Sequence, residues 1–344
     1  MTLDTSTEVT SAPPSGSRGA RARSREWAER ISRAVPSIGL IVLLALLWAA
    51  AALFVPEFAN GSNLVNILRQ SADLVIAALG VMFVLLIGGI DLSIGSVFGF
   101  SSVVLATLVF GGTPVPLAIL IVLAVAAVAG AVSGALTHFG RIPAFITTLG
   151  MYYILFAFAQ MISNGLALKL PPGTMLQGLS RGTVFGIPNV VLVAAGTAVV
   201  AWMVLNRTPY GRDVVSVGLN RQASRLSGLP VSRVAVGVFM ISAVLAAVSA
   251  ILLTARVQSG EPALGGLTGT FEVITAAVVG GTSLFGGRGT VLGVVVGAII
   301  IRTIGNCITL LDISSLLYQT VMGVLILIAL IVEAVRLRQK GGVE

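Results

Sequence analysis

At 344 residues, 56% hydrophobic and only 10% charged, with a mean hydropathy of +1.02, the chain is too apolar to be one or two soluble domains. One cysteine, Cys307, excludes a disulfide framework and a cysteine zinc site, and one histidine, His138, excludes a histidine metal cluster. A formal charge of +8 would suit nucleic acid, but its placement along the chain assigns it to membrane topology.

Residues 1–34 are rich in Ser, Thr, Pro and Arg without apolar periodicity, which reads as a disordered tail. The run that follows, "VPSIGLIVLLALLWAAAALFVP" at 35–56, reaches the ~20 residues that a bilayer core requires. Tail and run together read as a retained anchor rather than a cleaved leader. Such runs recur, and ten spans are expected: approximately 36–55, 72–89, 93–110, 115–138, 143–163, 188–205, 233–254, 268–281, 289–310 and 316–335. The eighth is short, so a tilted, broken or partial span is expected there. The ~10-residue alternating segments of an outer-membrane barrel do not occur.

With the N-terminus inside, every basic residue beyond the tail falls on the cytoplasmic side except Arg69, Lys169, Arg181, Arg256 and Arg302. Both termini are therefore expected in the cytoplasm. Two connections are long, an outer one near 164–187 and a cytoplasmic one at 206–232.

The second contains "VGLNRQASRLSGLPVSR" (217–233), with three arginines and no acid. Asn220 can cap a helix start, Gly228 can close one in the left-handed conformation, and Pro230 forbids its continuation. The enclosed helix, about eight residues or roughly 12 Å, is too short to cross a bilayer and too polar to sit in one. On its residues alone it either lies on the membrane surface or serves a partner.

Gly289, Gly293 and Gly297 recur every four residues, Gly305 continues that face, and Gly95/Gly99 and Gly130/Gly134 repeat the spacing. In lipid such stripes let helix backbones approach closely, so they read as packing surfaces. "IGGIDLSIGS" (87–96) and "VGGTSLFGGRG" (279–289) share GG-x-x-L-x-x-G, with Gly88, Gly89, Gly280 and Gly281 positioned to break helix geometry. A weak internal repeat of this kind is common in transporters.

Ionisable residues inside spans are few: Asp91 at an inner turn, Glu272 at the start of the eighth span, and Arg302 within the ninth. They are expected to face the bundle interior or water, Arg302 either snorkelling outward or pairing with an acid. Asp73 and Asp312 are expected to be solvated near the outer surface. No acid–histidine relay for a proton pump is present, and no H-E-x-x-H. Lys169 and Lys340 are the only lysines and neither belongs to a G-x-x-x-x-G-K-[ST] loop, so any ATP must be bound by another chain.

"GGIDLSIGS" (88–96), "IPAFITTLGM" (142–151), "TPYGRDVVSVGLNRQASRLSG" (208–228) and "VVGGTSLFGGRGTVLGVVVGA" (278–298) together resemble the ribose-type permeases of bacterial ABC sugar importers. The resemblance runs from about 36 to 336. It implies an all-α polytopic membrane protein of about ten transmembrane helices with the ABC importer permease fold. The transmembrane domain would occupy 35–336, between the 1–34 tail and a cytoplasmic tail at 337–344. It implies a second permease chain, identical or not, and cytoplasmic ATP-binding subunits that carry the ATP and Mg, with no cofactor on this chain. A periplasmic binding protein would deliver a monosaccharide or polyol for passage across the inner membrane. It implies neither an enzyme nor a nucleic-acid partner.

The short helix, about 220–228, would then be a coupling helix seated in the ATP-binding subunit, with Gly218, Asn220, Ala223, Ser224, Leu226, Ser227 and Gly228 forming that site. Ala223 and Ser224 are small enough for close approach, and Arg221 and Arg225 can meet acids on the partner or lipid headgroups. Polar residues that would line the pathway are Asp91, Ser93, Gln160, Asn164, Glu272, Thr275, Asn306 and Gln319, with the four break glycines as structural turns. "NCITLLDISSLLYQ" (306–319) departs from the family pattern at Cys307, Thr309 and Asp312, which bears on the substrate. Competing readings are a branched-chain amino acid permease and an ATP-independent secondary carrier.

Overall fold

The computed structural model describes residues 38–341, so the expected tail at 1–34 lies outside the described residues. Among them run α1 (Ile38–Phe54), α2 (Gly61–Leu86), α3 (Ile94–Phe110), α4 (Val115–His138) and α5 (Ala144–Ser163). Next come α6 (Met175–Arg181), α7 (Asn189–Arg207), α8 (Pro209–Leu219), α9 (Arg221–Leu226) and α10 (Val231–Val257). The chain closes with α11 (Gly266–Val279), α12 (Val291–Leu310) and α13 (Ser315–Gly341). Four two-residue strands pair antiparallel: β1 (Leu168–Lys169) with β4 (Ser259–Gly260), and β2 (Thr183–Val184) with β3 (Ile187–Pro188).

The expected spans correspond in order to α1–α5, α7 and α10–α13. Of these, α2, α4, α5, α7, α10 and α12 are long and apolar enough to cross a membrane unaided. At 14 residues, or roughly 21 Å, α11 falls short of the ~30 Å hydrocarbon core, as its sequence foretold. Helix α6 fills the connection at 164–187, and α13 stays helical to Gly341 instead of ending before 337.

Helix α2 is the axis of the molecule. Every residue from Ser71 to Leu86 is buried, enclosed by α7, α10, α11 and α12. A helix apolar on all faces has no side to offer water, and here neighbouring helices take up the whole circumference.

Helix α4 shows how the outer helices attach. Its buried face is a stripe of small residues, Ala118, Val122, Ala126, Gly130 and Gly134, four apart. A Cβ on Gly130 would lie 2.4 Å from the Phe239 carbonyl oxygen, and one on Gly134 would lie 2.6 Å from the Val236 Cα. The two backbones of α4 and α10 therefore touch, which is how helices associate where apolar burial gives no advantage. The other face of α4 exposes Leu117, Leu120, Val128, Val132 and Leu136. A surface this apolar is suited to acyl chains.

Candidate functional site

Two broken hairpins organise the interior. In the first, α2 stops at Leu86, Gly88 turns at φ +73°, and the chain crosses an irregular stretch before α3 starts. Backbone of this kind survives at membrane depth only if protein groups satisfy it. Thr148 of α5 does so, its Oγ1 accepting from the Leu92 N–H at 3.0 Å while its proton is shared between the Ala144 carbonyl of its own helix (2.9 Å) and the Ile90 carbonyl (3.2 Å). Thr270 of α11 accepts from the Gly95 N–H at 3.1 Å. The Asp91 carboxyl pins the turn: Oδ1 accepts from the Ser93 N–H (3.0 Å) and hydroxyl (2.6 Å), and Oδ2 from the Ser242 hydroxyl of α10 (2.8 Å).

Removing that pin leaves donors without partners. Asp91→Ala is expected to cost about 2–4 kcal/mol, since each buried donor left unsatisfied costs about 1–3 kcal/mol. Thermal unfolding of the purified chain in detergent would measure it, and an unchanged midpoint would refute the pin.

In the second break, α11 ends at Val279 and the chain turns through Gly281 (φ +85°), Gly286 (+91°) and Gly287 (+73°) before Thr290 caps α12. The repeat is thus not a conformational copy. Gly88 corresponds to Gly280, yet the left-handed residue is Gly88 in one break and Gly281 in the other. Gly280 contributes closeness instead: a Cβ on Gly293 would fall 2.1 Å from its carbonyl oxygen.

The two breaks join. The Gly287 N–H donates to the Leu86 carbonyl at 2.8 Å, satisfying an acceptor that the end of α2 would otherwise leave bare. The C-terminal turn of α8 meets them there, because Gly218 lies so close that an added Cβ would sit 1.8 Å from the Leu86 oxygen and 2.6 Å from the Gly287 nitrogen. Tyr210 secures the other end of α8, its hydroxyl donating to the Val234 carbonyl at 3.3 Å. Burial pushes that hydroxyl's pKa above its ordinary value.

The helix expected over 220–228 is present as α9, and a second helix that was not expected, α8, stands directly before it. Helix α8 opens with Thr208 accepting from the Gly211 N–H and Pro209 in the first turn. Asn220, extended at φ −157°, ends α8 and caps α9, its side chain accepting from the Ala223 N–H at 2.8 Å. Gly228 closes α9 at φ +78°. Ala223, Ser227 and Leu226 face outward, Leu226 being 83% exposed. Ser224, expected as part of the outward surface, is only 5% exposed and faces the body of the chain, because α9 packs against both α8 and α10.

Apart from Asp91, the ionisable residues expected inside spans come together in one cluster with Asp73 and Arg256. Arg302 of α12 pairs with Glu272 (2.6 Å) and Asp73 (3.3 Å), and its Nε donates to the Gln70 carbonyl at 3.0 Å. Arg256 pairs with Asp73 at 3.3 Å, and the Tyr318 hydroxyl donates to Glu272 at 2.5 Å. Of the alternatives open for Arg302, pairing holds. The expectation for Asp73 fails: it is 5% exposed, because the helix carrying it is the central one, and its charge is met by two arginines.

Above the cluster opens a cavity of about 250 Å³ lined by Arg69, Arg181, Arg256, Asn66, Gln70 and Asp73. Three of the five arginines and lysines that defy the orientation rule therefore share one hollow. The eight polar residues expected along a pathway are not gathered. Asp91 and Ser93 hold the first break, Glu272 joins the ionic cluster, and Thr275 bonds back within α11 to the Phe271 carbonyl. Asn306 exchanges two amide hydrogen bonds with Asn63, at 2.8 and 3.0 Å. Gln160 and Asn164 end α5, and Gln319 is exposed on α13. Asn63, Thr148, Ser242 and Thr270 are structural partners that the sequence did not single out. Ser242 and Ser249, two turns apart on the buried face of α10, were the available signal.

Two broken hairpins packed around a buried axis, in a bundle whose outer face is apolar, define a polytopic helical membrane protein. The chain belongs to the family of permease components described as branched-chain amino acid transport system permeases, whose family model matches residues 63–330. It is 35% identical over 299 residues to the ribose import permease of Haemophilus influenzae, covering 86% of this chain and 91% of that one. It is 37% identical over 302 residues to a probable ABC transporter permease of Escherichia coli K12 (88% and 90% covered). It is 31% identical over 319 residues to the galactose/methyl galactoside import permease of H. influenzae (88% and 94%). No solved structure matches the chain. It is a bacterial membrane permease and not an enzyme.

Proposed function

We propose that this chain is the inner-membrane subunit of an ATP-driven importer for a monosaccharide or related polyol. The observation that carries the reading is similarity over 86–88% of the chain to permeases named for ribose and galactose import. A branched-chain amino acid cargo is the second reading, favoured by the description of the family model.

Arg207, Arg212, Arg221, Arg225 and Arg233 crowd the α8–α9 connection, which supports a cytoplasmic position for that face. There α9 would seat in an ATP-binding subunit that holds the ATP and Mg, while a periplasmic binding protein delivers cargo to the opposite face. A second permease chain would complete the pathway. Motion of α9 would reach the core through Gly218, where α8 touches both breaks. The polar residues proposed for the pathway offer hydroxyls, amides and carboxylates that suit a polyol.

The test is co-purification of this chain with the ATP-binding subunit, beside an Ala223→Arg/Leu226→Glu variant that leaves buried Ser224 alone. The parent is expected to retain the subunit and the variant to lose it while inserting normally. Equal retention would remove α9 as the dock. Transport by this chain without any ATPase would replace the importer with a carrier.

A further inference from the structure

On the α9 side of the molecule lies a cavity of about 620 Å³, floored by Gly88 and Gly89 of the first break. Its walls carry His138 and Arg141 from the end of α4 and the connection to α5, and Arg221 and Arg225 from α9. No carboxylate lines it, and among the described residues none of the three guanidiniums makes an ion pair. Arg221 Nη2 instead stands 2.9 Å from His138 Nδ1, a contact that requires the imidazole to accept.

One further feature borders the same space. Helix α5, twenty residues long, begins at the cavity wall with Pro143 before it and no side-chain cap, so its N-terminal partial charge is left open. Three forked cations and a helix N-terminus around one hollow are donors in search of a multiply charged oxyanion. A phosphate matches them better than a carboxylate, having more acceptor oxygens and more charge. Beside the hollow, Phe139, Phe145 and Ile146 are each at least half exposed, which puts the cavity at the boundary between acyl chains and headgroups.

We propose that this cavity binds a phosphate group, carried by an anionic lipid headgroup or by a free phosphorylated solute, and that the bound anion fastens α9 to the α4–α5 connection. The proposal concerns this chain alone and stands whether or not α9 docks an ATPase.

Hydrogen exchange of the purified full-length chain tests it in two arms. One compares nanodiscs of phosphatidylcholine with nanodiscs containing phosphatidylglycerol. The other adds inorganic phosphate or a hexose monophosphate to the phosphatidylcholine discs. In one arm, amides of 137–147 and 220–229 are expected to exchange about tenfold more slowly at ten times the dissociation constant. An Arg141→Gln/Arg225→Gln variant is expected to lose that protection, while Arg207→Gln, outside the cavity, keeps it. Exchange in α2 reports whether the double variant is folded, with Arg141→Gln alone as the fallback. The arm that responds names the source. No response in either arm, or equal protection in the cavity variant, overturns the proposal.

Discussion

Gly218→Ala is expected to cost the purified chain about 1–3 kcal/mol, the usual penalty for forcing an extra group into a filled space. It is also expected to weaken whatever the α8–α9 unit transmits. The added methyl would meet the Leu86 oxygen at 1.8 Å and the Gly287 nitrogen at 2.6 Å, both backbone atoms that no rotamer change can move. Relief requires α8 to withdraw from the end of α2, or the Gly287–Leu86 hydrogen bond to open. Gly196→Ala supplies the contrast. Nothing lies within 4 Å of a Cβ there, in the middle of α7, so the change is expected to stabilise by roughly 0.5–1 kcal/mol. Melting of both variants in detergent, with uptake by cells carrying the assembled transporter, checks the pair. Parent-like behaviour of Gly218→Ala would mean that α8 and the breaks are not tightly joined.

Arg302→Met is expected to be the most damaging single change in the molecule, at about 3–5 kcal/mol, the usual result of removing one partner from a buried ionic group. Among the described residues Arg302 alone pairs with both Glu272 and Asp73, so its loss leaves Glu272 with only the Tyr318 hydroxyl and Asp73 with Arg256 alone. The two carboxylates are only 13% and 7% exposed, and water cannot replace the guanidinium. Adding Asp73→Asn and Glu272→Gln removes both stranded charges, so the triple variant is expected to recover much of the loss. The measurement is the fraction remaining monodisperse after heating. If the single variant survives as well as the parent, the cluster is not what joins α2, α11 and α12.

The spans were legible because the bilayer imposes one rule on each of them separately: enough apolar residues in a row. The breaks were legible for a similar reason, since paired glycines are a local signal. At the α8–α9 connection the caps of α9 were read correctly, but Thr208 and Pro209, an equally local start signal, were passed over. The expected helix is present, and α8, before it in the same connection, was missed. The ionic cluster was hidden for a different reason. Asp73 and Arg302 are 229 residues apart, and nothing in the neighbourhood of Asp73 announces that its helix is the central one. Ser224 was read as outward for want of the same knowledge, because a six-residue helix has too little periodicity to declare its buried side.

The central position of α2 has a consequence for how the protein is made. Asp73 leaves the ribosome about 229 residues before Arg302, which at roughly 5–20 residues per second is about 10–50 s. Through that interval the helix destined for the middle has no neighbour to answer its carboxylate, and Arg256, on α10, arrives only partway through. Biosynthesis must therefore hold α2 somewhere polar enough to tolerate it until the last third of the chain is threaded. A nascent chain that stops short of α12 holds Asp73 with Arg256 alone and Glu272 with no arginine, a mark by which quality control can tell the unfinished protein from the finished one.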